Sequence, residues 1–156
     1  MADSLPDISK FNIRNYGLLF NNKNEVLLSD EIIRGEHFTK FPGGGLEFGE
    51  SPIECLHREF LEEMNQKIEV VSHFYTTDKF IRSAFRPMEQ VICIYHTVNT
   101  IGDVNFKTSA NKFNFNTQIE GDQEAFRWCK ISDLNPKDFA FLSDAEVVEL
   151  IKRKLS

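Results

Sequence analysis

The chain has 156 residues, 41% of them hydrophobic and 15 of them phenylalanine, and a formal net charge of -6. That length fits one domain over residues 1–156 with a real apolar core, and no apolar run reaches the ~20 residues of a membrane span. The acidic balance speaks against a broad nucleic-acid surface, yet a small phosphate ligand stays open because a metal ion can reverse the charge locally.

The opening segment MADSLPDISK lacks the basic and apolar regions of a signal peptide. Residues 12–22 (NIRNYGLLFNN) and 25–33 (EVLLSDEII) read as two strands joined by a turn around Asn22, Lys23 and Asn24. HFTKF reads as a short strand leading into the glycines of FPGGG. Residues 51–65 read as a helix: Ser51, Pro52 and Glu54 fit an N-cap, a first-turn proline and a capping-box acid. Asn65 can close that helix in the left-handed conformation. Two longer strands follow over 67–81 and 88–98, with a turn near Ala84 to Pro87. From Asn99 to Gln123 the chain is polar and rich in Asn and Thr, the composition of a long loop or irregular hairpin. EAFRWCKI is a further strand, and SDAEVVELIKRKL a closing amphipathic helix with Ser143 as its expected N-cap. Strands on both sides of a helix, with a second helix at the end, imply a mixed sheet covered on two faces. Cys55, Cys93 and Cys129 are odd in number and widely spaced, so a reducing cytoplasm is the expected setting.

The first helix carries the chemistry. At about 100° per residue, Ile53, Leu56, Phe60, Leu61 and Met64 share one arc, while Glu59, Glu62 and Glu63 share an adjoining one. A solvated helix face normally mixes signs. Arg58 can offset Glu62, but Glu59 and Glu63, one turn apart, show no basic partner at helical spacing. Oxygen donors grouped this way suit Mg²⁺ or Mn²⁺. A glycine run lets the backbone turn sharply and approach a ligand, although by itself it also fits a plain turn.

Together these residues resemble the signature of the Nudix (MutT-like) hydrolases, G-x5-E-x7-R-E-U-x-E-E-x-G-U with U a bulky aliphatic residue. Here it reads Gly44, Glu50, Arg58, Glu59, Phe60, Glu62, Glu63, Asn65 and Gln66. Every charged position matches. Phe60, Asn65 and Gln66 depart from the pattern, and Ile68 is expected to supply the packing that Gln66 does not. The resemblance implies a Nudix-type α/β/α sandwich around a mixed β-sheet. It also implies hydrolysis of a pyrophosphate bond in a nucleoside diphosphate derivative, with Mg²⁺ or Mn²⁺ as cofactor.

By that resemblance Glu59 and Glu63 are the principal metal ligands, Glu62 is a ligand or water-positioning group, and the Gly43 carbonyl matches a backbone ligand. Gly44, Glu50 and Arg58 resemble the residues that brace the loop and helix. The general base is a box glutamate or an acid from the later loop, where Glu120, Asp122 and Glu124 are candidates; Asp122 and Glu120 are the ones carried forward. For substrate phosphates the expected contacts are Lys40, Arg34 and Arg82, with Lys79 and Arg86 as further candidates. The four histidines show no metal spacing. Phe80 and Phe85 could offer a stacking surface for a base. The expected partner is a small phosphorylated substrate rather than nucleic acid or membrane, and a homodimer is left open. The competing reading is a Nudix-fold module that binds a nucleotide or nucleotide sugar without cleaving it.

Overall fold

The computed structural model describes residues 7–155; the signal-peptide reading of the first six residues lies outside them. In chain order the elements are β1 (Lys10–Leu19), β2 (Glu25–Ile33), β3 (Glu36–Lys40), β4 (Gly43–Gly45), α1 (Pro52–Met64), β5 (Ile68–Thr76), β6 (Glu89–Thr100), β7 (Gln123–Lys130) and α2 (Leu142–Leu155), with two short 3₁₀ turns before α2. A four-stranded mixed sheet runs β4-β1-β6-β5, in which β1 and β6 are parallel. A three-stranded antiparallel sheet runs β3-β2-β7. Alternation along the strands sends side chains to two cores. Leu27, Val98 and Phe126 pack with Leu56, Phe60 and Met64 of α1. Tyr16, Leu18, Leu28 and Tyr95 pack with Val147, Val148 and Ile151 of α2. This is the α/β/α sandwich. Among the described residues no helix is long and apolar enough to cross a membrane.

Local signals formed as read. Ser51 caps α1 through a complete capping box with Glu54, and Asn65 closes it at φ 52°. The Asn21 side chain accepts from the amides of Lys23 and Glu25, which shapes the β1–β2 turn. Gln66 is fully buried, its amide bonded to the Lys67 and Ile101 carbonyls and its oxygen to the Asn105 amide, and Ile68 does join the α1 core.

Four readings are corrected. The three glycines are a strand rather than a turn, paired antiparallel with Arg14, Asn15 and Tyr16 of β1. The strand expected to reach Ile81 stops at Thr76, because the Thr77 hydroxyl takes the Cys93 amide and ends regular pairing. Helix α2 begins at Leu142, so Ser143 lies buried within its first turn instead of capping it. In α1, Ile53 and Leu61 are 46% and 45% exposed, whereas Cys55 is buried. The inward face of α1 is therefore turned: Cys55, Glu59, Glu63, Leu56, Phe60 and Met64 span about 180° at about 100° per residue. Glu59 and Glu63 lie within the face that packs on the sheets, not along its edge.

Candidate active site

Arg58 ties the loop after β4 to α1. Its guanidinium meets Glu50 through two bonds, Nε to Oε2 at 2.9 Å and Nη2 to Oε1 at 2.7 Å, and Nη2 also donates to the Gly45 carbonyl at 3.0 Å. The same group reaches Glu59 at 3.0 Å and Glu62 at 3.2 Å, so Glu59 does have a basic partner. The fork geometry suits a carboxylate, and it pushes the Glu50 carboxyl down to about 2. Gly44 lies directly under Glu59: a Cβ there would come within 2.4 Å of Oε1. At Gly43, φ is 147° and a Cβ would fall 2.0 Å from the Asn15 carbonyl oxygen. Gly43 is thus required by the close approach of backbone, and Gly44 leaves room for the Glu59 carboxylate.

Glu63 is different. Its Oε2 is buried and has no hydrogen-bond partner. Burial, then the charge of Glu124, raise its carboxyl well above the usual range, and Lys40 pulls it back. Glu124 comes from β7, where it stands opposite Glu31 and bonds the Ser29 hydroxyl at 2.7 Å. Although its side chain reaches solvent, the surrounding walls of the cleft raise its carboxyl too. Lys40, 7% exposed, is the cation among them, 2.9 Å from Glu31 and 3.4 Å from the Gly43 carbonyl oxygen. Carboxylates kept from ionising by burial and by one another's charge are a setting that a divalent cation relieves. The donors are all oxygen, which fits Mg²⁺ or Mn²⁺. Among the described residues no three acidic, His or Cys side chains form a ready-made ligand set, since Glu59 is turned to Arg58.

The fold thus gathers Glu59, Glu63, Gly43, Gly44, Glu50, Arg58 and Lys40, with Glu62 at the exposed rim. It does not bring Arg34, Arg82, Asp122 or Glu120 to them. Arg34 and Gly35, at φ 52° and 81°, form the two-residue turn between β2 and β3. That turn lies roughly 13 Å along the ladder from Lys40, at about 3.3 Å per residue. Asp122 accepts the Arg34 backbone amide at 2.9 Å, and Glu120 is exposed in the loop before it. Arg82 is exposed and bridges to Gln90, Lys79 pairs with Glu146 of α2, and Arg86 pairs with Glu89. The later acid that reaches α1 is Glu124. Strand alternation carries the signal for it: Phe126, two residues on, points into the α1 core, so Glu124 shares that face.

A cleft of about 630 Å³ adjoins these acids, lined by Glu63, Asn65, Phe106, Ser109, Asn114 and Glu124 among others. Its outer wall is the 101–122 loop, whose role the sequence reading missed because it lacks periodicity. Asp30 anchors that loop by accepting the Phe113 amide at 3.1 Å, while itself held by Thr39 and Arg127.

Comparison with known proteins agrees with this geometry. The chain is 29% identical over 133 residues to an RNA pyrophosphohydrolase of Ruthia magnifica subsp. Calyptogena magnifica, covering 77% of this chain and 71% of that protein. Its fold is similar to the MutT protein from Methanosarcina mazei Go1, with TM-score 0.67, 19% identity and coverage of 94% and 96% of the two chains. It is also similar to a NUDIX hydrolase from Nitrosomonas europaea, with TM-score 0.65, 18% identity and coverage of 88% and 86%. The NUDIX domain model matches residues 13–151, and the chain belongs to that family.

Proposed function

We propose that this domain hydrolyses a pyrophosphate bond in a nucleoside diphosphate derivative, with Mg²⁺ or Mn²⁺ as cofactor. The chain is a Nudix pyrophosphohydrolase with every box acid in place. The observation that carries the metal reading is the buried, unpartnered Glu63 Oε2 beside Glu59 and Glu124. These three residues would hold the ion, with the Gly43 carbonyl and Glu62 adjoining. When bound, the ion would neutralise the diphosphate and activate a water. Arg58 and Glu50 fix the helix against the loop so that the acids keep their positions, which is most of what phosphoryl transfer asks of a protein. Glu63 or Glu124 would accept the proton of the attacking water; Asp122 or Glu120 would need the loop to carry them inward.

The cleft beside the acids would take the rest of the substrate. Phe106 offers a ring face, and Thr108, Ser109 and Asn114 offer hydrogen-bonding groups. The name of the relative, RNA pyrophosphohydrolase, favours a nucleotide-based substrate. The net charge of -6 favours a small nucleotide over a long RNA chain.

The test is product analysis on a panel of nucleoside triphosphates, nucleotide sugars and dinucleoside polyphosphates. Cleavage within the phosphoric anhydride, lost with chelator and restored by Mg²⁺ or Mn²⁺, supports the reading. Tight binding of a panel member without turnover would instead make the domain a binding module.

A further inference from the structure

Lys40 is an unusual residue to find where it is. Its side chain is 8% exposed, and its partner Glu31 is 15% exposed. The ammonium lies 5.5 Å from the centre of the Tyr16 ring. It points at the carbonyl of Gly43, whose backbone conformation no other residue adopts readily. Burying a lysine is unfavourable unless its charge is answered. Here Glu31 answers at 2.9 Å, and Glu63 and Glu124, the acids assigned to the metal, support the charge against burial and the repulsion of Arg14. The charges that bear most on Glu63 are in turn Glu124, Lys40 and Glu59. Of the three ammonium protons, Glu31 and the Gly43 carbonyl account for two.

A fixed positive charge at this point has two opposite effects. It holds the carboxylates together before any metal arrives. It also repels a divalent cation that would use the same Glu63 and the same Gly43 carbonyl, and inside a protein such repulsion is only partly screened. Retaining it is useful only if the charge meets something anionic afterwards.

We propose that Lys40 is a resident cation of the metal site, one that weakens divalent-cation binding by its charge and transfers its contact from the Gly43 carbonyl to a substrate phosphate oxygen. This rests on the metal reading above. The exchange needs no movement of β3, because the end of the side chain alone turns.

The experiment is direct Mn²⁺ binding, followed by the electron paramagnetic resonance signal of the free ion, in wild type, Lys40→Gln and Lys40→Arg, each checked for folding by circular dichroism. Glutamine keeps donors for Glu31 and the Gly43 carbonyl while removing the charge. Lys40→Gln should bind Mn²⁺ at least ~10-fold more tightly. Lys40→Arg, which keeps the charge, should stay within about 3-fold of wild type. With saturating metal, KM of the best panel substrate should rise ~10-fold or more in Lys40→Gln. A purely structural lysine would lower stability and leave Mn²⁺ affinity unchanged or weaker; that result in a folded Lys40→Gln protein overturns the proposal. Should Lys40→Gln not fold, Lys40→Met, which removes the charge and keeps an unbranched side chain, carries the same expectation and the same overturning result. Failure of the metal reading itself looks different: wild type would bind no Mn²⁺, or Glu63→Gln would bind it as well as wild type.

Discussion

Glu59 rests on the α-carbon of Gly44, so closely that a single added methyl at position 44 would sit 2.4 Å from Oε1 and 2.5 Å from the carboxyl carbon. The obstruction is the end of a side chain, not backbone. Gly44→Ala should therefore fold, with Glu59 pushed aside. The expected result is a loss of ~10²-fold or more in kcat, the scale of removing one electrostatic contributor, with circular dichroism unchanged. Gly43→Ala is the contrast. Its Cβ would strike the Asn15 carbonyl at 2.0 Å and demand a left-sided backbone, so it should fail to fold or aggregate on expression. Equal behaviour of the two variants would show that the glycines act through flexibility alone.

What was legible in the sequence follows the range of the interactions. The capping box of Ser51 and Glu54, the left-handed Asn65 and the spacing of Glu59, Glu62 and Glu63 are all set within a few residues. The orientation of α1 is not. Apolar periodicity pointed Ile53 and Leu61 inward, but the helix turns the half-buried Glu59 and Glu63 inward instead, because Gly44 makes room for Glu59 and Lys40 brings counter-charge to Glu63 from other elements. Glu124 needed more still. Its place depends on β7 lying beside β2 and β2 beside β3, so that Glu31 stands next to both Glu124 and Phe38. Resemblance to the family carried Asp122 forward, whose side chain in the structure holds the Arg34 turn.

Glu63→Gln separates function from folding. The amide keeps the size and removes a charge whose Oε2 has no hydrogen-bond partner. Burial already holds this carboxyl well above the usual range, so without metal it is mostly uncharged at neutral pH and the variant should melt no lower than wild type. Turnover should fall by at least ~10²-fold, since a ligand charge is gone. Thermal denaturation and steady-state rates check the two halves. A folded variant with near-normal turnover would mean that the metal is held elsewhere.

Glu124 and Asp122 can be ranked by rate. Glu124 faces Glu63 across the cleft, and Asp122 is occupied with a backbone amide at the sheet's far end. Glu124→Gln should lower kcat by roughly 10²-fold with little change in KM, the pattern of a group used in the transition state. Asp122→Asn keeps an acceptor for the Arg34 amide and should stay within about 3-fold of wild type, as should Glu120→Gln. The reverse ranking would show that the 101–122 loop closes over the acids during turnover.

The second core holds a titrating group of its own. Asp144 is 1% exposed on α2 and accepts the Tyr95 hydroxyl at 2.5 Å. Burial raises its carboxyl to about 6 from an ordinary 3.8, against the pull of the Tyr95 bond, Lys40 and Arg14. The folded state therefore holds this proton more strongly than the unfolded chain does. Its contribution is fully present below the unfolded value and is lost as pH rises through about 6. A shift of about two units corresponds to ~3 kcal/mol. Asp144→Asn has no proton to lose, and its side-chain oxygen still accepts from Tyr95. Between pH 4, just above the unfolded value, and pH 7 the wild type should lose ~2.5 kcal/mol relative to the variant, or roughly 5–10 °C in melting temperature for a domain of this size. Other carboxylates titrate alike in both proteins, so the difference isolates Asp144. Parallel melting curves across that range would place the Asp144 charge in a better-solvated setting than this core provides.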